Sequence, residues 1–97
     1  MSLRKVKNRH ATDFVTEIYG GEEYVFLPLG KYLVAAPGIC GGRPTIKYHR
    51  LDARWILVYL EQGISKQKLA QQFAVPLAAI EEVIALQNSF DYETSYA

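Results

Sequence analysis

The sequence predicts a mainly α fold, in which a trihelical helix-turn-helix bundle follows an N-terminal β-hairpin arm. Two short apolar stripes with helical spacing lie in residues 65–86, on either side of Ala74-Val75-Pro76. A further helix-like segment precedes them at 51–62. Before residue 36, two runs of β-branched and aromatic residues are joined by a proline–glycine turn. The 97 residues suit one small domain with a modest core.

Residues 1–36 are predicted to be an extension ahead of the bundle. The first ten residues carry four cations and no acid, which fits a basic arm for nucleic acid or, more simply, a solvated start. Phe14–Tyr19 resembles a strand and ends at a Gly-Gly turn signal. Stronger strand candidates lie at 24–27 and 31–35, and we interpret them as a β-hairpin. The open edge of so apolar a ribbon invites another strand, which predicts a homodimer through this hairpin.

The domain predicted for residues 37–90 contains three helices, at 51–62, 66–73 and 77–90. Asp52 lies near the start of the first helix, and Gly63 lies just after its end. Ser65 is a good N-cap for the second helix. Pro76 lies where the first turn of the third helix tolerates proline. The arrangement predicts a compact, homeodomain-like unit.

The contact between the second and third helices depends on Ala70, whose small side chain lets them approach closely. The helix-turn-helix motif normally has glycine in its turn, where this chain has Ala74. The tail at 91–97 has no helical period, and we expect it to fray.

Composition excludes several classes of protein. Apolar residues make up 49% of the chain and charged residues 22%, which is typical of a folded globular protein rather than a disordered one. No apolar run approaches the roughly eighteen residues of a membrane helix, and no signal-peptide pattern opens the chain, so we expect a cytoplasmic protein. Cys40 is alone, which excludes an internal disulfide and a cysteine-based metal site.

The sequence shows no convergent catalytic set, so we expect no enzyme activity, cofactor or metal. His10 and His49 are far apart and lack metal-ligand spacing. The Gly41-Gly42 pair favours a sharp turn, because a phosphate-binding loop needs a fuller pattern. Glu81 and Glu82 are adjacent on a predicted helix and diverge by about 100°, which indicates a solvated face rather than paired carboxylates.

A cluster of cations just before and inside the bihelical segment is the best candidate for nucleic-acid binding. Its members could contact phosphates, and the alternative is that they only keep the domain soluble. The predicted phosphate contacts are Arg43, Lys47, Arg50, Lys66 and Lys68. The outward residues at the start of the third helix, Leu77, Ala78, Glu81 and Glu82, suit base recognition poorly. We therefore expect any DNA affinity to be electrostatic, weakly sequence-specific and sensitive to salt.

From about Gly30 to Gln87 the chain resembles the domain-of-unknown-function 433 (DUF433) family, small prokaryotic proteins with a helix-turn-helix core. The resemblance rests on the connector PGICGGRPTI at 37–46, on Arg50-Leu51, and on Gly63-Ile64-Ser65 before the second helix. The family usually has glycine and threonine just before the arginine. This chain has Tyr48 and His49 there instead.

The resemblance implies a function in regulation. Members of the family often sit beside a PIN-like nuclease and are regarded as antitoxins of toxin–antitoxin pairs. Such antitoxins commonly join a DNA-binding fold to a segment that covers the toxin. The resemblance thus implies DNA and a PIN-like toxin as partners, in addition to the second copy of the chain that the hairpin predicts. The alternative is a protein-interaction module whose helix-turn-helix core does not bind DNA.

Overall fold

The computed structural model describes residues 14–97, so the predicted basic arm and His10 lie outside the described residues. A four-stranded antiparallel sheet precedes three helices, and 35% of the described residues are helical while 21% lie in strands. The strands are β1 (Val15–Tyr19), β2 (Glu22–Pro28), β3 (Leu33–Ala35) and β4 (Thr45–Ile46). The helices are α1 (Ala53–Glu61), α2 (Lys66–Phe73) and α3 (Leu77–Ala85). The protein has an α/β fold, and the prediction of a mainly α trihelical, homeodomain-like bundle is wrong.

The strands follow one another across the sheet in the order β1-β2-β3-β4. Gly20 and Gly21 connect β1 to β2 with φ angles of 64° and 84°, the positive pair that a type I′ hairpin turn requires. β1 pairs with residues 22–26 of β2, whereas β3 pairs only with Leu27 and Pro28. The β1–β2 ribbon therefore extends beyond the rest of the sheet.

The predicted hairpin is present but is not an arm. All three residues of β3 are buried, and two of them contribute to apolar clusters. Leu33 packs in the main core with Ile56 and Ile80, while Val34 packs with Phe26 in a smaller cluster. The sheet is therefore a layer of the core, and this packing is the physical reason that the arm prediction fails.

The helices begin close to where the sequence places them. Asp52 caps α1 by accepting a hydrogen bond from Arg54 N at 3.1 Å, and Ser65 caps α2 through Lys68 N at 3.1 Å. α2 has the predicted bounds, and α3 ends at Ala85 rather than near residue 90. Ala74 ends α2 in the left-handed conformation that glycine usually supplies, with φ 56° and ψ 45°.

The C-terminal tail is docked on the domain, so the prediction that it frays is wrong. Tyr92 is buried in the main core, and its hydroxyl donates to Val83 O at 2.7 Å. Tyr96 N donates to Gly42 O at 2.8 Å, which attaches the tail to the connector before β4. These anchors are single aromatic residues without helical spacing, and periodicity therefore does not reveal them.

Glu82 joins the helices to the sheet. From α3, its Oε1 accepts a hydrogen bond from Lys31 N at 3.0 Å, and its Oε2 accepts from Tyr32 N at 2.8 Å and Leu33 N at 2.7 Å. A Cβ atom at Gly30 would lie 2.5 Å from Glu82 Oε2, so only glycine leaves room for this approach. The prediction that Glu81 and Glu82 form a solvated face is wrong for Glu82, because its carboxylate caps the turn between β2 and β3.

Replacing Glu82 should destabilise the fold. Glu82→Ala leaves three backbone N–H groups of the β2–β3 turn without their acceptor, and we expect a loss of about 3 kcal/mol in the free energy of unfolding. The matched control is Glu81→Ala, one residue earlier and exposed, with an expected change below about 0.5 kcal/mol. Urea denaturation of both variants measures the difference. Equal losses would show that the Glu82 contacts contribute nothing of their own.

Candidate functional site

The two helices that the sequence singles out, α2 and α3, are joined by the short turn Ala74–Pro76. Ala70 is 9% exposed and lies in the main core, and its carbonyl oxygen accepts a hydrogen bond from Val75 N at 3.0 Å. In the first half of α3, Ala78 and Glu81 are exposed. The outward surface of this helix therefore offers a methyl group and a carboxylate, with no cation.

Arg43, the first predicted phosphate contact, belongs to an ion-pair network within the protein. Its Nε and Nη2 both lie 3.2 Å from Asp52 Oδ2, and the Asp52 side chain is 7% exposed. Arg54 Nε lies 3.3 Å from the same oxygen but is too poorly aligned for a hydrogen bond, which leaves that buried nitrogen unsatisfied. Arg54 Nη1 also pairs with Glu93 Oε1 at 3.3 Å. Arg43 thus fixes the connector to the start of α1.

Lys47 and Lys66 are also paired with carboxylates. Lys47 Nζ lies 3.0 Å from Glu17 Oε2 of β1, and Lys66 Nζ lies 3.0 Å from Glu81 Oε2 of α3. Although partial burial lowers it, hydrogen bonds to Glu17 and Tyr48 raise the pKa of Lys47 above its usual value. Both ammonium groups are largely neutralised by neighbours, so they are weak candidates for phosphate binding.

Arg50 and Lys68 are the two predicted contacts that stay available. Both side chains are exposed, and neither forms an ion pair within residues 14–97. The structure therefore does not bring the five predicted residues together as one free cationic surface. It divides them into three that bind the protein's own acids and two that face solvent.

An aromatic cluster covers one face of the β1–β2 ribbon. The rings of Tyr19 and Tyr48 stack with centroids 4.3 Å apart and an interplanar angle of 14°, and Tyr24 lies beside both rings. Lys47 Nζ lies 4.5 Å from the centroid of the Phe26 ring, within the range of a cation–π contact. Tyr19 and Tyr48 remain 54% and 40% exposed, so the cluster forms part of the surface.

Tyr48 has an unusual backbone conformation. Its φ of 69° is in the left-handed region that glycine favours, at one of the positions where the sequence departs from the family pattern. Two hydrogen bonds hold this conformation: the Tyr48 hydroxyl donates to Glu17 Oε1 at 2.6 Å, and the backbone N–H of Tyr48 donates to the Tyr24 hydroxyl at 3.1 Å. The hydrogen bond from Tyr48, followed by that from Lys47, holds the pKa of Glu17 below its usual value.

A second apolar surface lies on α1. A groove of about 340 Å³ runs between α1 and α3 and is lined by Leu57, Leu60, Glu61, Ile84 and Gln87. Trp55 is 49% exposed on the same helix, and a smaller pocket lies beside it next to Val58. The sequence places Trp55 at the margin of the inward face of this helix, but half of its surface is open to solvent.

A comparison with models of known protein families identifies a match. The model of the family described as "Protein of unknown function (DUF433)" matches residues 33–86, more than half of the 97-residue chain. The chain belongs to the DUF433 family. The DUF433 region begins in β3 and ends just after α3, so it contains Leu33 and Glu82 but not the β1–β2 ribbon or the tail. Comparison with curated proteins and with solved structures found no significant match.

The described part of this DUF433 protein offers no metal site. Residues 14–97 contain no group of three or more His, Cys, Asp or Glu side chains that could hold a metal ion. Partial burial raises the pKa of the Cys40 thiol, which lies 3.6 Å from Arg50 O. Within the same residues, no helix is both long and apolar enough to cross a membrane.

Proposed function

We propose that this DUF433 protein is a cytoplasmic regulatory protein that acts by binding another protein rather than by catalysis. The observation that carries the proposal is the half-exposed Trp55 on α1, which lines a pocket with Arg54, Val58 and Glu93. The apolar groove between α1 and α3 lies on another side of the same helix. Tryptophan is among the residues that contribute most to binding energy at protein interfaces. Exposed apolar patches on small domains commonly mark such interfaces.

The charge of this surface also suits a protein partner better than a nucleic acid. Glu61 lies at the groove, and Glu93 lies beside Trp55. Arg54, the cation nearest to Trp55, is already paired with Asp52 and Glu93. An acidic margin around an apolar centre repels phosphates but accepts an apolar side chain flanked by a cation.

The antitoxin role that the family resemblance implies is a specific form of this proposal. In that form the partner is a PIN-like toxin. An antitoxin needs a surface that covers its toxin, and the groove on α1 supplies an apolar surface of suitable chemistry. This step rests on the resemblance, whereas the choice of surface rests on Trp55 and the groove.

A substitution at Trp55 tests the proposal. The protein encoded by the neighbouring gene is titrated with the full chain and with Trp55→Ser, and calorimetry measures the dissociation constant. We expect Trp55→Ser to weaken binding about 30-fold, the loss typical of an interface hot spot, while circular dichroism shows that the fold is retained. Lys68→Ala, an exposed change on α2, should bind like the parent. Equal affinity for the parent and Trp55→Ser would contradict the use of this surface.

DNA binding is the second candidate function. It is favoured by the arrangement of α2 and α3, which are consecutive helices with a short turn, and by Arg50 and Lys68, which have no acidic partner within the described chain. The acidic start of α3 argues against base recognition. If DNA is bound, contacts to phosphates should supply the affinity.

Salt dependence distinguishes this function from the first. In gel shifts on the upstream region of the gene, Arg50→Gln with Lys68→Gln should reduce the slope of log affinity against log salt by about two. Lys66→Gln is the control, because Lys66 is paired with Glu81, and it should leave the slope nearly unchanged. Absence of binding at low salt would exclude DNA as a partner, and an equal effect of Lys66→Gln would contradict the division of the cations.

A further inference from the structure

β1 is an open edge of the sheet. It pairs with β2 on one side and has no strand partner on the other within residues 14–97. The opposite edge strand, β4, has only two residues, both buried, and Thr45 bridges to Asp52 there. Edge strands are usually protected by proline, lysine or a bulge, and β1 has neither residue and a regular register. The sequence assigns the dimer contact to residues 24–35, but β2 and β3 lie inside the sheet.

The hairpin turn determines which backbone groups of β1 face outward. In a two-residue hairpin the closing pair, here Tyr19 and Glu22, exchanges both backbone hydrogen bonds. Because bonded and non-bonded pairs alternate, Glu17 and Val15 also bond to β2. The N–H and C=O groups of Thr16 and Ile18 therefore point away from the sheet. They offer two donors and two acceptors along the open edge.

We propose that β1 pairs with β1 of a second copy, antiparallel, across a twofold axis at Glu17. Thr16 then lies opposite Ile18 of the second copy, and the two symmetric pairs form four backbone hydrogen bonds. Val15 lies opposite Tyr19 of the second copy, a β-branched and aromatic pair of the kind that stabilises neighbouring strands. The two sheets become one continuous sheet of eight strands.

The side chains of β1 explain why the occupant is a second copy. Ile18 is 73% exposed, Tyr19 54% and Val15 38%, and the symmetric pairing covers apolar surface on both faces of the ribbon. The register is also defined. A shift of one residue would place side chains on opposite faces, and a shift of two residues would shorten the overlap. Only the axis at Glu17 pairs all five residues of the strand.

The charges around the proposed twofold axis balance one another. Glu17 is the one charged residue of β1, and the twofold axis brings it close to Glu17 of the second copy. Each carboxylate already binds Lys47 Nζ at 3.0 Å and the Tyr48 hydroxyl at 2.6 Å. Two carboxylates and two ammonium groups then surround the axis, so repulsion between the acids is offset within the same cluster.

Measurement of mass in solution tests the pairing with the full chain. Light scattering should give about 22 kDa, twice the 11.0 kDa of one chain. Ile18→Lys places a charge on the open edge, and Thr16→Pro removes an outward N–H, so both variants should be monomers with unchanged circular dichroism. Trp55→Ser, an exposed apolar residue outside the ribbon, should remain a dimer. A monomeric parent, or a dimer that survives both ribbon substitutions, would overturn the proposal.

Cross-linking tests the register. In a Cys40→Ser background, Glu17→Cys places one thiol on each side of the axis, in a non-bonded pair whose Cα atoms are about 4.5 Å apart. Mild oxidation should therefore give a covalent dimer. Thr16→Cys is the control, because the two copies of that residue lie more than about 7 Å apart, beyond the reach of a disulfide. Equal cross-linking of both variants, or of Thr16→Cys alone, would refute an axis at Glu17.

Discussion

The fold depends on one carboxylate that connects two parts of the chain some 50 residues apart in sequence. Glu82 leaves α3 and accepts three backbone N–H groups of the turn that leads into β3. Leu33, the last of these donors, then enters the core between the helices. The tail docks on the same helix, because the buried Tyr92 hydroxyl donates to Val83 O of α3 at 2.7 Å. Burial and, to a smaller degree, the charge of Glu82 raise the pKa of Tyr92.

Local features were predictable from the sequence and long-range ones were not. α2 has its predicted bounds, since an apolar period, a serine cap and a following proline all act within a few residues. The predicted fold class was wrong, because the fold class depends on whether β3 joins the core. The hydrogen bond from Leu33 N to Glu82 decides this, and it joins residues far apart in the sequence. An adjacent pair of glutamates looks the same in the sequence whether one is solvated or both are. Gly30 is a partial signal of this contact in the sequence. The need for glycine there becomes clear only once Glu82 is seen to lie against it.

The same limit applies to the candidate site. The sequence predicts five phosphate contacts near the bihelical segment. It does not show that the carboxylates of Asp52, Glu17 and Glu81 already pair with three of these cations. These pairs weaken the case that Arg43, Lys47 and Lys66 contact phosphates. The left-handed backbone of Tyr48 was not predicted, although the resemblance, in which glycine is usual at this position, pointed to it.

The two proposed binding surfaces lie in different parts of the sequence. Four of the five residues that line the groove between α1 and α3 lie within the DUF433 region, and the fifth, Gln87, directly follows it, whereas β1 lies ahead of it. Self-pairing through β1 belongs to the segment that precedes the family region.

Native-state hydrogen exchange tests most directly whether Glu82 makes the sheet and the helices one cooperative unit. Exchange of the Tyr32 and Leu33 amides is compared with that of Ile80 and Val83 over a series of urea concentrations. If the account is correct, all four amides exchange through the same global opening with the same free energy. Exchange of Tyr32 and Leu33 through a smaller opening, while Ile80 and Val83 remain protected, would contradict it.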